Sequence, residues 1–302
     1  MRYERRGFAL LAVLWVMTGL AALALGLSLA ARQGVSAAQR RTDLVRAAWI
    51  AEDCLERARV AISTELSAVS AAWQSLDDVV RRSPIVPGAC DVSVRAAGSV
   101  LDMNVIEAEG MVALFAATHV PRRLADSLAD ALLDWRDADD IARPFGAERS
   151  WYESRGRFPP RNGPFADVRE LARVRGFDAV AEIERVLGVE PGRVAINHAP
   201  LVVLAALPGM SQEALSRIVE QRLRAETVRD IVAFAGTLSP HARQELLARY
   251  SDLVRLVTVE PDAWILASRA RSGVPAVSAV VEVRLVRAGD RAAIVRRRTW
   301  VE

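Results

Sequence analysis

FALLAVLWVMTGLAALALGLSLAA occupies residues 8–31, and none of its 24 side chains carries a charge. As an α-helix the stretch would be about 36 Å long, which is enough to cross a bilayer. Arg2, Arg5 and Arg6 precede it with one glutamate, and this excess of arginine favours a cytoplasmic amino terminus. We therefore predict a single-pass membrane helix, with the rest of the chain folded outside the cytoplasm.

A buried core helix and a cleaved secretory signal are the alternatives for this stretch. A core helix rarely stays uncharged for so many turns. Ser28 and Ala30 offer a small-x-small cleavage pattern, but the run exceeds the usual signal core of about 7–15 residues. Apolar residues also continue at three- and four-residue intervals, at Val35, Ala38, Val45, Ala48, Trp49 and Leu55. One long helix over residues 8–62 is therefore predicted, membrane-spanning over 8–31 and amphipathic afterwards.

The remaining pattern predicts an α+β fold. Cys90–Arg95 and 100–105 are candidate strands that a turn over 96–99 would join as a hairpin, and valine-rich stretches at 264–272, 277–286 and 292–301 are three further strands. The sequence between these two groups of strands is predicted to be mainly helical. We expect the long helix to pack on an antiparallel sheet that carries a large inserted all-helical domain. The predicted segments are 1–7 (leader), 8–62, 63–106, 107–255 (insertion) and 256–302.

The predicted insertion contains a weak internal repeat. Asn104 and Asn197 each precede a short helix, a turn and a second helix. The second turn, Leu207-Pro208-Gly209, resembles a helix–hairpin–helix, a motif that binds DNA phosphates through backbone N–H groups. Met210 replaces the usual second glycine, and Glu213 places a negative charge where a phosphate would approach. We therefore favour a structural helical hairpin.

The charge distribution does not favour a nucleic-acid-binding protein, and the motifs do not favour an enzyme. The 302 residues are 52% hydrophobic and carry a net charge of +3, and arginine supplies the basic side chains without forming a concentrated patch. No serine-nucleophile motif and no glycine-rich phosphate loop occurs in the sequence. The histidines are too scattered for a catalytic or zinc set: His119, His198 and His241.

Two groups of residues are candidate sites. The densest acidic cluster has the hard oxygen ligands that suit Ca²⁺, although its spacing is not that of an EF-hand; its alternative is a solvated helix end paired to Arg136, Arg143 or Arg149. Cys54 and Cys90 form either a disulfide or two buried thiols, and the sequence leaves both open. The acidic cluster consists of Asp134, Asp137, Asp139, Asp140 and Glu148.

The amino terminus resembles that of the type IV pilins and pseudopilins, because Arg6-Gly7-Phe8 opens a long apolar helix after a basic leader. In that family a prepilin peptidase cleaves after the glycine, and the new terminal residue, here Phe8, is N-methylated. The family usually has glutamate five residues after the cut, where this chain has Ala12. A subunit with no neighbour above it has no amine to neutralise, so an apolar residue in lipid is the less costly choice.

The whole chain resembles the minor pseudopilin K family of bacterial type II secretion systems. The segments that carry the resemblance are 6–16, 134–140, 160–165 with Glu170-Leu171, 196–200 and 204–209. The resemblance implies a pilin-like fold, calcium in the helical domain, and no catalytic activity.

The resemblance also implies partners and a location. It places the chain in the inner membrane and then at the tip of a periplasmic pseudopilus, with the minor pseudopilins I and J. Two alternatives stay open: a membrane-tethered DNA-binding protein of the competence type, and a secreted enzyme cleaved near Ala30.

Overall fold

The computed structural model describes residues 4–83, 90–180, 183–189 and 192–302. Its first element, α1, spans Glu4–Ala68 and is roughly 100 Å long at 1.5 Å per residue. The described side chains from Leu10 to Thr42 are all exposed, and burial begins at Asp43. Within the described residues, α1 is the one helix that is long and apolar enough to cross a membrane. It extends beyond both ends of the predicted 8–62.

The body of the protein is built on an antiparallel four-stranded sheet. The predicted carboxyl-terminal strands are confirmed, and the predicted hairpin over residues 96–99 is wrong. The strand that begins at Cys90 pairs instead with the strand that begins at Ala263. The sheet order is β1-β6-β7-β8, in which β1 is Cys90–Ala96, β6 Ala263–Ser272, β7 Val277–Ala288 and β8 Arg291–Val301.

The amphipathic half of α1 packs on one face of this sheet. Its buried residues recur every three or four positions and meet strand residues that alternate in and out of the core. Leu55 and Ile62 are fully buried in one hydrophobic cluster with Leu266 and Val283 of the sheet. A 3₁₀ helix at Ser70–Ser75 and α2 at Leu76–Arg82 close the end of this core. The packing of the long helix on an antiparallel sheet, which the sequence pattern predicts, is therefore confirmed.

The described residues between β1 and β6 lie outside the four-stranded sheet and form the insertion. It covers residues 97–262 and is wider than the predicted 107–255, because short flanking strands belong to it. It is mainly helical but not wholly so. Its helices are α3 (Ala108–Ala117), α4 (Arg122–Arg136), α5 (Arg149–Glu153), α6 (Leu201–Leu204), α7 (Gln212–Leu223), α8 (Ile231–Ala235), α9 (Pro240–Ala248) and α10 (Tyr250–Leu256), with 3₁₀ helices at Val168–Arg173, Phe177–Ala179 and Ile183–Arg185.

Two parallel pairs of two-residue strands divide the insertion into two halves. In the first half, β2 (Leu101–Asp102) pairs with β3 (Leu187–Gly188). In the second half, β4 (Val194–Ala195) pairs with β5 (Val257–Thr258). Each half thus begins and ends on one strand of its own pair, with the helices between them, which gives the weak sequence repeat a structural form.

The repeated asparagines hold equivalent positions after β2 and β4. Asn104 exchanges two hydrogen bonds with the backbone of Phe165, at 3.0 and 2.7 Å. Asn197 does the same with Val228, at 2.9 and 2.8 Å, and also donates to the carbonyl of Val259 at 2.9 Å. Each amide therefore ties the start of its half to a distant loop of the same half.

A half-buried arginine completes each copy. Arg136, at the end of α4, donates to the carbonyls of Met103 and Ile106, on either side of Asn104. Arg222, near the end of α7, donates to the carbonyls of Ile196 and Ala199, on either side of Asn197. An arginine at the end of the second helix thus clamps the asparagine turn in both halves, which accounts for the spacing of the repeat.

Candidate metal centre

The acidic cluster lies where α4 ends and a loop over residues 137–148 leads to α5. Asp137, Asp139 and Glu148 each bring a carboxylate oxygen to within 4.8 Å of the others. Glu148 is buried, Asp137 is half-buried and Asp139 is exposed. Carboxylate oxygens are ligands that Ca²⁺ prefers, and three of them this close together could form part of its coordination shell.

Asp134 does not belong to this group of three carboxylates, but it organises the loop over residues 137–148. Its fully buried carboxylate accepts from the backbone N–H of Arg143 at 3.2 Å, and Nε of the same arginine lies 3.3 Å away. Gly146 packs directly on it, since a Cβ built at that position would lie 1.9 Å from Oδ2 of Asp134. Only glycine allows this approach, so the loop closes over Asp134 and delivers Glu148 to the cluster.

Several oxygens of the cluster have no partner. Neither carboxylate oxygen of Glu148 has a hydrogen-bond partner among the described residues, and the same holds for Oδ1 of Asp137 and Oδ1 of Asn162. A buried charged oxygen without a partner is costly. A divalent cation held by Asp137, Asp139 and Glu148 would satisfy the unpaired carboxylate oxygens of Asp137 and Glu148, so these three residues fit such an ion.

Asn162 is the candidate ligand that the sequence did not point to. Its amide nitrogen donates to the carbonyl of Asp139 at 2.9 Å and to Oδ1 of Asp140 at 3.0 Å, which leaves its own oxygen as a free acceptor. Its backbone is left-handed, with φ 51°, a conformation that asparagine tolerates better than most residues. The Asn-Gly pair at 162–163 was the available signal.

The charges of the cluster disfavour one another. Burial, together with the negative charges of Asp134, Asp137 and Asp140, raises the pKa of Glu148 to about 7. Burial also raises the pKa of Asp134 to about 6 and shifts the pKa of Asp137 upward. Asp140 is exposed and lies 3.7 Å from Arg149. The cluster is thus electrostatically unfavourable by itself at neutral pH, as expected of a cation site.

Cys54 and Cys90 are joined by a disulfide. Their Cα atoms lie 6.6 Å apart, and the bond links the middle of the amphipathic half of α1 to the first residue of β1. Of the two possibilities that the sequence left open, the structure has the bridge. A disulfide suits a domain outside the cytoplasm.

The residues of the predicted processing site lie within α1. Gly7, Phe8 and Ala12 belong to its helical backbone, and the side chain of Ala12 is exposed on the segment that projects from the body. The cleavage after Gly7 and the methylation of Phe8 remain predictions.

The hairpin at Leu207-Pro208-Gly209 is packed against α9. Gly209 has a φ of +72°, and a Cβ there would lie 3.1 Å from the carbonyl oxygen of Glu245. Leu207 is buried, and Glu213 accepts from the N–H and the hydroxyl of Ser239, both at 2.6 Å. These contacts use the turn for internal packing and favour the structural reading of the motif.

His198 lies between the insertion and the sheet. Its ring packs edge-on against Trp264 at 5.0 Å between centroids, and burial lowers its pKa. Trp264 in turn donates to the carbonyl of Trp73 at 2.8 Å. These contacts make His198 part of the packing between the insertion and the sheet.

Comparison with known proteins finds a family match for one region of the chain and a similar fold for most of it. Residues 96–189 match the family described as type II secretion system (T2SS), protein K. A chain of the GspK-GspI-GspJ complex from the type 2 secretion system of enterotoxigenic Escherichia coli matches with a TM-score of 0.63 and 18% identity, covering 87% of this chain and 99% of that one. No curated protein matches the sequence. The predicted resemblance and fold class are confirmed by these findings.

Proposed function

We propose, from the protein K region that this chain carries at residues 96–189, that it is the tip subunit of a type II secretion pseudopilus. It assembles with the minor pseudopilins I and J, initiates the filament and supports export of proteins across the outer membrane. Its role is assembly and not catalysis. Beside that match, the proposal is supported by the combination of a protruding apolar helix with a helix-covered antiparallel sheet and a bulky insertion.

The shape of the chain favours a terminal position in a filament. The helical segment from Leu10 to Thr42 projects from the body with its side chains exposed, as a helix must do if it packs first in lipid and later among neighbouring helices. The insertion at residues 97–262 is larger than the sheet domain that carries it. A subunit with so much mass beside its sheet fits the end of a stack better than its middle.

The candidate metal centre supports the same proposal as a structural element. Asp137, Asp139 and Glu148, with the oxygen of Asn162, would hold Ca²⁺. The ion would neutralise the cluster and hold the loop over residues 137–148 against α4. Calcium is then a stabiliser of the insertion and takes part in no reaction.

The proposal predicts a complex of defined composition. We expect the full-length chain, purified in detergent with the minor pseudopilins I and J of the same bacterium, to elute as one complex with equal amounts of the three chains. A chain that elutes alone in the presence of both would contradict the proposal. The DNA-binding alternative requires an affinity for duplex DNA that falls steeply with salt.

A further inference from the structure

Strand β8 is the last strand of the sheet. Its inner edge pairs with β7 from Ala288↔Arg291 to Ala279↔Val301, and no described strand pairs with its outer edge. It has 11 residues, which is long for an edge strand, and nearly all of its side chains are at least partly exposed. Such an edge presents a row of backbone N–H and C=O groups that another strand can join.

The face of β8 that points away from α1 is basic. Arg296 and Arg298 share that face, and their neighbours on β7 are Arg284 and Glu282. Three arginines against one glutamate leave this part of the surface positive. Side chains on adjacent strands lie close enough for opposite charges to stabilise the pairing and for like charges to oppose it.

The other face of β8 continues into an exposed apolar stripe on α1. Arg297 forms an ion pair with Glu52 of α1, and this contact places the strand beside that side of the helix. Trp49 and Val45 precede Glu52 by three and seven residues, so they lie on the same side. Trp49 is 71% exposed, which is a large apolar area in the half of α1 that packs on the sheet.

The free end of β8 lies at the same level as this stripe. The turn between β6 and β7 packs on Asp43, because a Cβ at Gly273 would lie 2.4 Å from Oδ2 of Asp43. Val301 pairs with Ala279 near the start of β7, and it is 57% exposed on the α1 side of the sheet. The strand edge, Val301 and Trp49 therefore border one continuous surface.

We propose that the outer edge of β8, with Trp49 and Val45 of α1, binds an extended strand of a partner pseudopilin that carries carboxylates at alternate positions. Such a strand would extend the sheet by backbone hydrogen bonds, place its carboxylates beside Arg296 and Arg298, and cover the indole of Trp49. A second copy of this chain does not fit, because edge-to-edge pairing of two β8 strands would set arginines against arginines. The inference rests on the proposed function for the identity of the partner.

The test measures binding of the full-length chain in detergent to the purified pseudopilins I and J of the same bacterium. We expect R296E/R298E to weaken binding to one of them at least tenfold and to reduce its salt dependence. We expect W49A to weaken it about tenfold, since exposed tryptophans dominate many interfaces. The matched control, R224E/R229E, makes the same charge change at exposed positions of the insertion and should bind like the unchanged chain.

Two further measurements separate a folding defect from a lost contact. R296Q/R298Q avoids setting a new glutamate beside Glu282 and should still weaken binding several-fold, with an unchanged melting temperature. Hydrogen exchange of the amides of residues 291–301 should slow at least tenfold in the complex, because backbone pairing protects them.

Two outcomes would count against the inference in different ways. Wild-type affinity for both arginine variants, with unprotected β8 amides, would overturn the docking surface and leave the proposed function standing. Absence of binding between the unchanged chain and either pseudopilin would overturn the proposed function and with it this choice of partner.

Discussion

Replacing Cys54 and Cys90 with alanine should lower the free energy of unfolding of the body by about 4 kcal/mol. The bridge closes a loop of 36 residues, and cross-linking a loop of that size removes about this much conformational entropy from the unfolded chain. The disulfide also links β1, which is an edge strand of the sheet, covalently to the buried side of α1. Urea unfolding of the full-length chain in detergent, followed by tryptophan fluorescence, measures the loss.

Reduction supplies the control for the disulfide. The unchanged chain treated with dithiothreitol should unfold at the same urea concentration as C54A/C90A, whereas C54A/C90A should not respond to the reductant. This comparison separates the cross-link from the packing of Cys54, which is buried. Equal stability of the oxidised and reduced chains would show that the bridge contributes nothing to the fold.

Calcium should raise the melting temperature of the chain by about 5 °C or more at pH 8. An ion present at a hundred times its dissociation constant stabilises by about 2.7 kcal/mol, and each kcal/mol shifts a domain of this size by about 2–4 °C. The measurement compares thermal unfolding in millimolar calcium with unfolding in a chelator. An unchanged melting temperature would contradict the metal centre.

The response to calcium should depend on pH. Glu148 ionises near pH 7 in the folded chain and near 4.5 when unfolded, so between these values the folded state binds more protons. Without calcium the site therefore loses stability as the pH rises from about 4.5 to 7. Calcium binds the ionised form and offsets that loss, so its effect should be large at pH 8 and small at pH 5.

Substitution of one ligand distinguishes a metal site from an ordinary ion-pair network. In chelator at pH 8, E148Q should be at least as stable as the unchanged chain, because it removes a buried charge that has no partner, and it should not respond to calcium. D126N, at a half-buried position of α4 outside the cluster, is the matched control and should keep the full response. A full calcium response in E148Q would exclude Glu148 as a ligand.

The long-range architecture was predictable where the period of the sequence is regular. The uncharged run over residues 8–31 and the apolar spacing after it predict one long helix, and the alternation in the last forty residues predicts three strands, close to the observed β6, β7 and β8. Leu101–Asp102 was misassigned as part of a hairpin. A strand of two residues is too short to show an alternating pattern, so the sequence does not indicate which strand it pairs with. Its parallel pairing with Leu187–Gly188 depends on the folded insertion.

The candidate site was predictable in composition but not in geometry. The acidic cluster is visible in the sequence, yet nothing there separates Asp134, which is buried and organises the loop, from Asp137 and Glu148, which face the cluster. That division depends on Gly146 packing on Asp134. Asn162 comes from a separate loop, so only the folded chain brings it to the cluster.

The mature amino terminus tests the central claim of a processed pseudopilin most directly. Mass spectrometry of the chain purified from membranes of its own bacterium identifies the first residue and any modification of it. The proposed function predicts that the chain starts at Phe8 and carries an N-methyl group there. A mature chain that starts near Ala31, released from the membrane, would contradict it.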